Sequence, residues 1–199
     1  MLLQEIAKPA VETPAEIWIG QDKRQGLSVI SCAGAPLKIA TEYSQTLHYA
    51  LPVEIGGKQP FQILAIWMLK EPVHYAPNLV AILEHYREFL ARGPTVIAGD
   101  FNANPKFDAQ HKHYLFETIT AKFDELGLCS AYHECTGEAH GAETQPTFYF
   151  RRHRNRPFHI DYLLCPKPWR SKLGEITVGS YEAFAGLSDH RPITAQFTV

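Results

Sequence analysis

The sequence predicts a layered α+β domain built on mixed sheets. Three observations predict it. Segments rich in Val, Ile, Phe and Tyr outnumber helical ones, several follow one another with no helix between, and helical periodicity is confined to two stretches. The strand-like segments are 27–33, 47–55, 61–68, 95–99, 146–151, 159–165, 176–180 and 192–199. The first amphipathic helix carries Leu79, Ile82, Leu83, Tyr86 and Leu90 on one face, and Gly93-Pro94 stops it. The second carries Leu115, Phe116, Ile119, Phe123 and Leu126, with Gly127 as its C-terminal stop. A hairpin-rich pair of sheets flanked by helices suits this order.

With no repeat and no linker, the 199 residues read as one domain, 1–199, long enough to bury roughly 70% of the unfolded surface. Hydrophobic residues make up 45% of the chain, which excludes a disordered polymer. The longest apolar run, 61–69, is interrupted by Gln62 and is too short to span a bilayer. Met1-Leu2-Leu3-Gln4-Glu5 lacks the basic start and long apolar stretch of a signal peptide, so a cytoplasmic protein is expected. Cys32, Cys129, Cys135 and Cys165 form no C-x-x-C pair and read as ordinary thiols; a Cys129–Cys135 disulfide is conceivable but has no support in the sequence.

A formal net charge of −2 argues against a strong non-specific nucleic-acid binder. The basic residues cluster in Arg151-Arg152-His153-Arg154-Asn155-Arg156, directly after Phe148, Tyr149 and Phe150. That run is either a solvated hairpin tip or a patch that steers phosphate. No protein partner can be inferred.

The informative residues are polar groups inside or just after apolar strands. Asp100 and Asn102 follow the segment 95–99, whose Gly99 permits close approach of backbone or ligand. By itself such a pair could mark a turn. Asp161 sits within His159-Ile160-Asp161-Tyr162-Leu163-Leu164, where an uncompensated carboxylate would cost several kcal/mol, so a positive group or N–H donor must face it. Ser188-Asp189-His190 stands just before the last strand, where His190 can meet Asp161 and have its tautomer fixed. Carboxylates, an amide and one imidazole, with no ligating cysteine, suit Mg²⁺ or Mn²⁺. Zinc would want two or three histidines at defined spacing; His111 and His113, one residue apart, read as solvated.

Gly99-Asp100-Phe101-Asn102, His159-Ile160-Asp161-Tyr162 and Ser188-Asp189-His190-Arg191-Pro192 together resemble the endonuclease/exonuclease/phosphatase superfamily, in its motif order and across the whole chain. Leu2-Leu3-Gln4-Glu5 looks like the family's glutamate motif. The resemblance implies a four-layered α/β/β/α sandwich of two mixed sheets flanked by helices. It also implies a metal-dependent phosphoesterase acting on nucleic acid, with magnesium or manganese as cofactor. The alternatives are a phosphatase or phosphodiesterase for a lipid headgroup or small phosphate, or a catalytically dead binding module.

Carried onto this chain, the resemblance makes Glu5 and Asp189 metal-site residues and Asp100 the group that orients or deprotonates water. Asn102 would hold the phosphate, Asp161 would hold His190, and His190 would contact a phosphoryl oxygen or transfer a proton. Arg151 and Arg152 are assigned to substrate binding. Many family nucleases end the strand matching 62–68 in a histidine or tyrosine; here Trp67 stands there and Tyr75 is the candidate replacement, so both are assigned to substrate contact. Family members also open with a strand ending in a metal-site asparagine, whereas this chain starts almost on the glutamate motif. Either the recorded start is downstream of the true one, or a core strand and a site residue are missing. The first is expected, because losing an internal strand leaves a long unpaired edge.

Overall fold

Apolar strands in the first half of the chain build two sheets that contribute to one buried cluster. The structure, a computed structural model, describes residues 1–47, 49–70, 74–110 and 115–198. His111 and His113 lie outside the described residues. Contacts divide the chain into two compact units, Met1–Phe101 and Asn102–Val199.

In the first unit, β1 (Leu2–Ile6), β2 (Glu16–Asp22) and β3 (Gln25–Ile30) form an antiparallel sheet in the order β1-β3-β2. The next strands are β4 (Leu37–Ile39), β5 (Ala50–Ile55) and β6 (Phe61–Trp67), each antiparallel to the one before. Helices α1 (Tyr75–His85) and α2 (Arg87–Ala91) then carry the chain back, and β7 (Thr95–Asp100) lies parallel to β6, which makes this sheet mixed. Leu27, Val29, Leu51, Val53, Ala65 and Trp67 join one buried cluster, with Leu2, Ile17 and Ile19 packed against it. Each fully buried large side chain in such a cluster contributes about 1.5–3 kcal/mol.

The expected single helix 79–90 is two. Tyr86 leaves helical geometry at φ −89°, ψ 13°. It is fully buried, and its hydroxyl donates to the Ala50 carbonyl at 3.2 Å, which ties the break to β5. Beyond the break the buried face passes through Phe89, not Leu90. Strands β2 and β4 were not expected; β2 is only half-buried, so its apolar alternation is weak.

The second unit contains α3 (Phe116–Glu125), β8 (Leu128–Ser130), α4 (Ala131–Thr136), β9 (Phe148–Tyr149), β10 (Pro157–Phe158), β11 (Asp161–Pro166), β12 (Leu173–Val178), α5 (Tyr181–Phe184) and β13 (Ile193–Phe197). Antiparallel pairs join β8 to β11, β9 to β10, and β12 to β13. Helix α3 buries Phe116, Ile119 and Phe123, the expected face, and Gly127 follows it at φ 68°, in the left-handed conformation of a helix stop. The expected strand 146–151 shrinks to β9, because Phe150–Arg152 turns through a 3₁₀ segment with both arginines at positive φ. All four cysteines are free thiols; Cys129 faces Cys165 across β8 and β11, with Sγ atoms 3.8 Å apart, and does not pair with Cys135. Among the described residues no helix is long and apolar enough to cross a membrane.

Gly99 has no substitute at its position in β7. Its φ is 136°, and a Cβ there would fall 1.8 Å from the Ile66 carbonyl oxygen on β6. Gly127 is also left-handed, but a Cβ there would meet nothing within 4 Å. Gly99→Ala should therefore lower stability by more than about 2 kcal/mol, and Gly127→Ala by only about 1 kcal/mol. Urea unfolding monitored by circular dichroism measures both; equal losses would show that the close approach to Ile66 is unimportant.

Candidate active site

In the second unit, the charge of Asp161 is met by an imidazole. Asp161 opens β11 at 6% exposure, and His190 Nδ1 lies 2.9 Å from its Oδ2 and 3.1 Å from its Oδ1. A donor at Nδ1 fixes the tautomer and directs the other ring nitrogen, Nε2, to different partners. Thr147, fully buried, supports the aspartate from behind. Its Oγ1 accepts the N–H groups of Ile160 and Asp161, both at 3.0 Å.

The same segment holds the His190 loop. The Thr147 carbonyl accepts the Arg191 N–H at 2.6 Å, and the Tyr149 N–H donates to the Asp189 carbonyl at 2.8 Å. Phe148 pairs with His190 in an antiparallel bridge, their rings 4.7 Å apart. Arg191 is 2% exposed, and its guanidinium lies over Tyr149 at 4.7 Å and Tyr181 at 5.1 Å. Its NH1 donates to the carbonyls of Ser188 (2.9 Å) and His190 (2.7 Å), which clamps the backbone on both sides of half-buried Asp189.

Asn102, half-buried at the start of this unit, has φ 49°. Arg151 and Arg152 occupy the tip of the β9–β10 hairpin, exposed, at φ 53° and 59°. Arg151 stacks over Phe150 at 5.3 Å, and Arg156 covers the same ring at 4.2 Å. Arg154 pairs with Glu182 at 2.9 Å, but both side chains are well exposed and such a pair is worth under about 1 kcal/mol.

In the first unit, Glu5 is exposed at φ 58°, where the register of β1 against β3 slips between Gln4 and Ile6. This bulge turns Glu5 out of the ladder. Strand β1 contacts β7, which ends in Asp100, 2% exposed. Trp67 lies opposite Asp100 in the β6–β7 register and is itself buried, its ring 4.5 Å from that of Tyr49. Tyr75 opens α1; burial, and then the negative charge of Asp100, push its phenol above the ordinary value.

A polar cluster in the second unit escaped the sequence reading. The Glu143 carboxylate has a fully buried side chain and accepts from the Gly141 N–H at 2.9 Å, Asn104 Nδ2 at 3.2 Å and His133 Nε2 at 3.3 Å. Burial pushes this carboxyl up, but the His133 and Gly141 hydrogen bonds outweigh it and bring it to about 2. The His140 ring lies 3.6 Å from that of His133, and burial followed by the His133 charge brings its imidazole down to about 4. His159 donates from Nδ1 to the Gln145 carbonyl at 2.9 Å, and burial lowers it too. The one signal available in the sequence was the density of histidine and glutamate between 133 and 143, in a stretch with no apolar period.

Thr147→Val keeps the shape but leaves two buried N–H groups unpaired. It should cost roughly 2–4 kcal/mol, with Thr147→Ser near wild type, by chemical denaturation; a stable valine variant would remove Thr147 from the scaffold. In chelator, the His140 and Glu143 shifts give stability a common sign. Both folded values lie below the ordinary 6.5 and 4.5, so the unfolded chain binds more protons in each interval. The Tm should fall as pH drops from about 6.5 towards 4 through His140, and again from about 4.5 towards 2 through Glu143. His140→Gln should flatten the upper interval in scanning calorimetry; an unchanged profile would show that His140 does not control it.

No protein-family model and no curated protein matches the chain. Solved structures do. The 3′ phosphatase NExo from Neisseria, bound to a product DNA hairpin, matches with a TM-score of 0.71 at 19% identity, over 100% of this chain and 88% of that one. An AP endonuclease from Archaeoglobus fulgidus matches with a TM-score of 0.71 at 18% identity, over the same shares. The endonuclease domain of a telomere-specific non-LTR retrotransposon matches with a TM-score of 0.62 at 14% identity, over 100% of this chain and 78% of that one. With its mixed sheet and flanking helices, the chain shares the α+β fold of these solved structures.

Proposed function

We propose that this chain is a metal-dependent phosphoesterase that hydrolyses phosphodiester bonds in nucleic acid. The observation that carries the reading is the His190 imidazole, bonded at Nδ1 to the buried Asp161 carboxylate, in a chain that shares its fold with a 3′ phosphatase bound to a DNA hairpin and with an AP endonuclease. An oriented imidazole that a carboxylate can balance suits a reaction in which charge builds on phosphoryl oxygens and a proton must move.

The proposed roles follow the chemistry of each group. Glu5, an exposed carboxylate turned out by a bulge, and Asp189, on a clamped backbone, are each assigned as an oxygen donor for Mg²⁺ or Mn²⁺. When bound, that ion supplies neutralisation of charge on the phosphate oxygens. Asp100 orients the attacking water and accepts its proton, and Asn102 holds the phosphate by its amide. His190 Nε2 contacts a phosphoryl oxygen or moves a proton, with Asp161 as its positioning residue. Tyr75, kept protonated by burial and by Asp100, can donate to the departing oxygen as the P–O bond breaks, which Trp67 in the core is poorly placed to do. Arg151 and Arg152, exposed at the hairpin tip, attract the polyanion.

The test is turnover on a DNA duplex carrying an abasic site or a 3′ phosphate. Activity should vanish in chelator and return with Mg²⁺ or Mn²⁺. Asp161→Asn and His190→Ala should each lose roughly 10²–10⁴ in turnover, and the double variant little more than either single one, since coupled groups act as a unit. Near-normal turnover in Asp161→Asn, or additive losses, would separate the two residues and remove the basis of the assignment.

A further inference from the structure

The cluster around Glu143 belongs to none of the proposed hydrolytic roles, and its atoms are arranged as ligands. One ligand atom each from His133, His140 and Glu143 lies within 4.8 Å of the other two. Ligands at about 2.0–2.1 Å from a tetrahedral zinc ion stand about 3.3 Å from one another. The separation of His133 Nε2 from Glu143 Oε1 is 3.3 Å. His133 Nδ1 is held by Ser130 Oγ at 2.7 Å, the kind of outer hydrogen bond that aims a ligating imidazole through its other nitrogen. Asn104 and the Gly141 N–H fix the carboxylate in the same way.

A second set of observations points to an unmet demand at the same place. His140 Nδ1 is buried with no hydrogen-bond partner, and so is Nε2 of His159, a residue 1% exposed whose ring lies 5.9 Å from that of His133. Buried imidazole nitrogens are ordinarily satisfied. Three imidazoles, two with an unpartnered buried nitrogen, gathered about a buried carboxylate form a donor set that favours a transition ion over magnesium.

We propose that His133, His140 and Glu143 bind one zinc-class divalent transition ion, with solvent completing the coordination. The site is separate from the hydrolytic roles and lies wholly within the second unit. Its role is structural: Glu143 is four residues before Thr147, so an ion there pins the loop that delivers Thr147 to Asp161.

The test uses the full chain, stripped with chelator and dialysed, and titrates it with Zn²⁺ alone and with Co²⁺ alone. One equivalent of Zn²⁺ should bind at sub-micromolar Kd and raise Tm, and Co²⁺ should give the strong visible absorption of a four-coordinate site. Millimolar Mg²⁺ should not displace either ion. Glu143→Gln and His140→Gln should each weaken Zn²⁺ binding by at least about a hundredfold, whereas Asp161→Asn and Cys129→Ser should bind as wild type. Where circular dichroism shows Glu143→Gln to be unfolded, His140→Gln alone decides. Absence of saturable Zn²⁺ uptake by the wild-type chain overturns the proposal. So does uptake that survives His140→Gln, or that is lost in Cys129→Ser and belongs to the Cys129–Cys165 thiols. Failure of phosphoesterase turnover leaves the titration unaffected, so the two readings are tested apart.

Discussion

A carboxylate that is 6% exposed must exchange water for protein donors, and much of the second unit is arranged around how Asp161 does so. His190 supplies one donor to the carboxylate, and the peptide N–H groups of Ile160 and Asp161 are taken by Thr147. A hydrogen bond to a charged group contributes about 1.5–3 kcal/mol, but a buried charge left without one costs more than that. Thr147 therefore has two neighbours to serve with one segment. Its side chain holds the start of β11, and its carbonyl, with the Tyr149 N–H, holds the loop that presents His190. Arg191 closes the arrangement from the other side, buried against two tyrosines and bonded to the carbonyls that flank Asp189.

Backbone strain marks the residues with proposed chemistry. Among the described residues, five non-glycine positions have positive φ: Glu5, Tyr49, Asn102, Arg151 and Arg152. Four of them are residues that the sequence motifs and the basic run single out. Such conformations cost of order 1–3 kcal/mol each and persist where surrounding structure enforces them. At Glu5 the enforcing element is visible: β1 is paired with β3 on both sides of the slip, so the bulge cannot relax into the ladder.

Two donor chemistries occupy the chain and suit different cations. Glu5 and Asp189, each proposed as a magnesium donor, offer carboxylate oxygen on exposed or half-buried backbone, a setting that suits a hydrated hard ion. His133 and His140, both half-buried, and the buried carboxylate of Glu143 offer two nitrogens and a desolvated oxygen, a donor set that suits a transition ion. The segment 137–147 links the histidine cluster to Thr147 through only a few residues, so order in one can be transmitted to the other.

By itself the sequence determined the strand-and-helix grammar and the residues of the motifs. Apolar runs such as 61–68 and 95–99 became β6 and β7, and the face of α3 was readable because its burial repeats with the helix. It also required a donor opposite Asp161, since a carboxylate between apolar neighbours has no other recourse, and His190 proved to be that donor. Tertiary structure alone decided the rest. Tyr86 breaks a helix whose apolar pattern runs on, because its hydroxyl answers the Ala50 carbonyl on β5. Trp67 is assigned to substrate contact at a strand end, and packing on Tyr49 buries it to 6% exposure. Glu143 and its histidines drew no reading from the sequence, because their hydrogen bonds run to Asn104, Ser130 and Gln145, partners up to 39 residues away that no local period encodes.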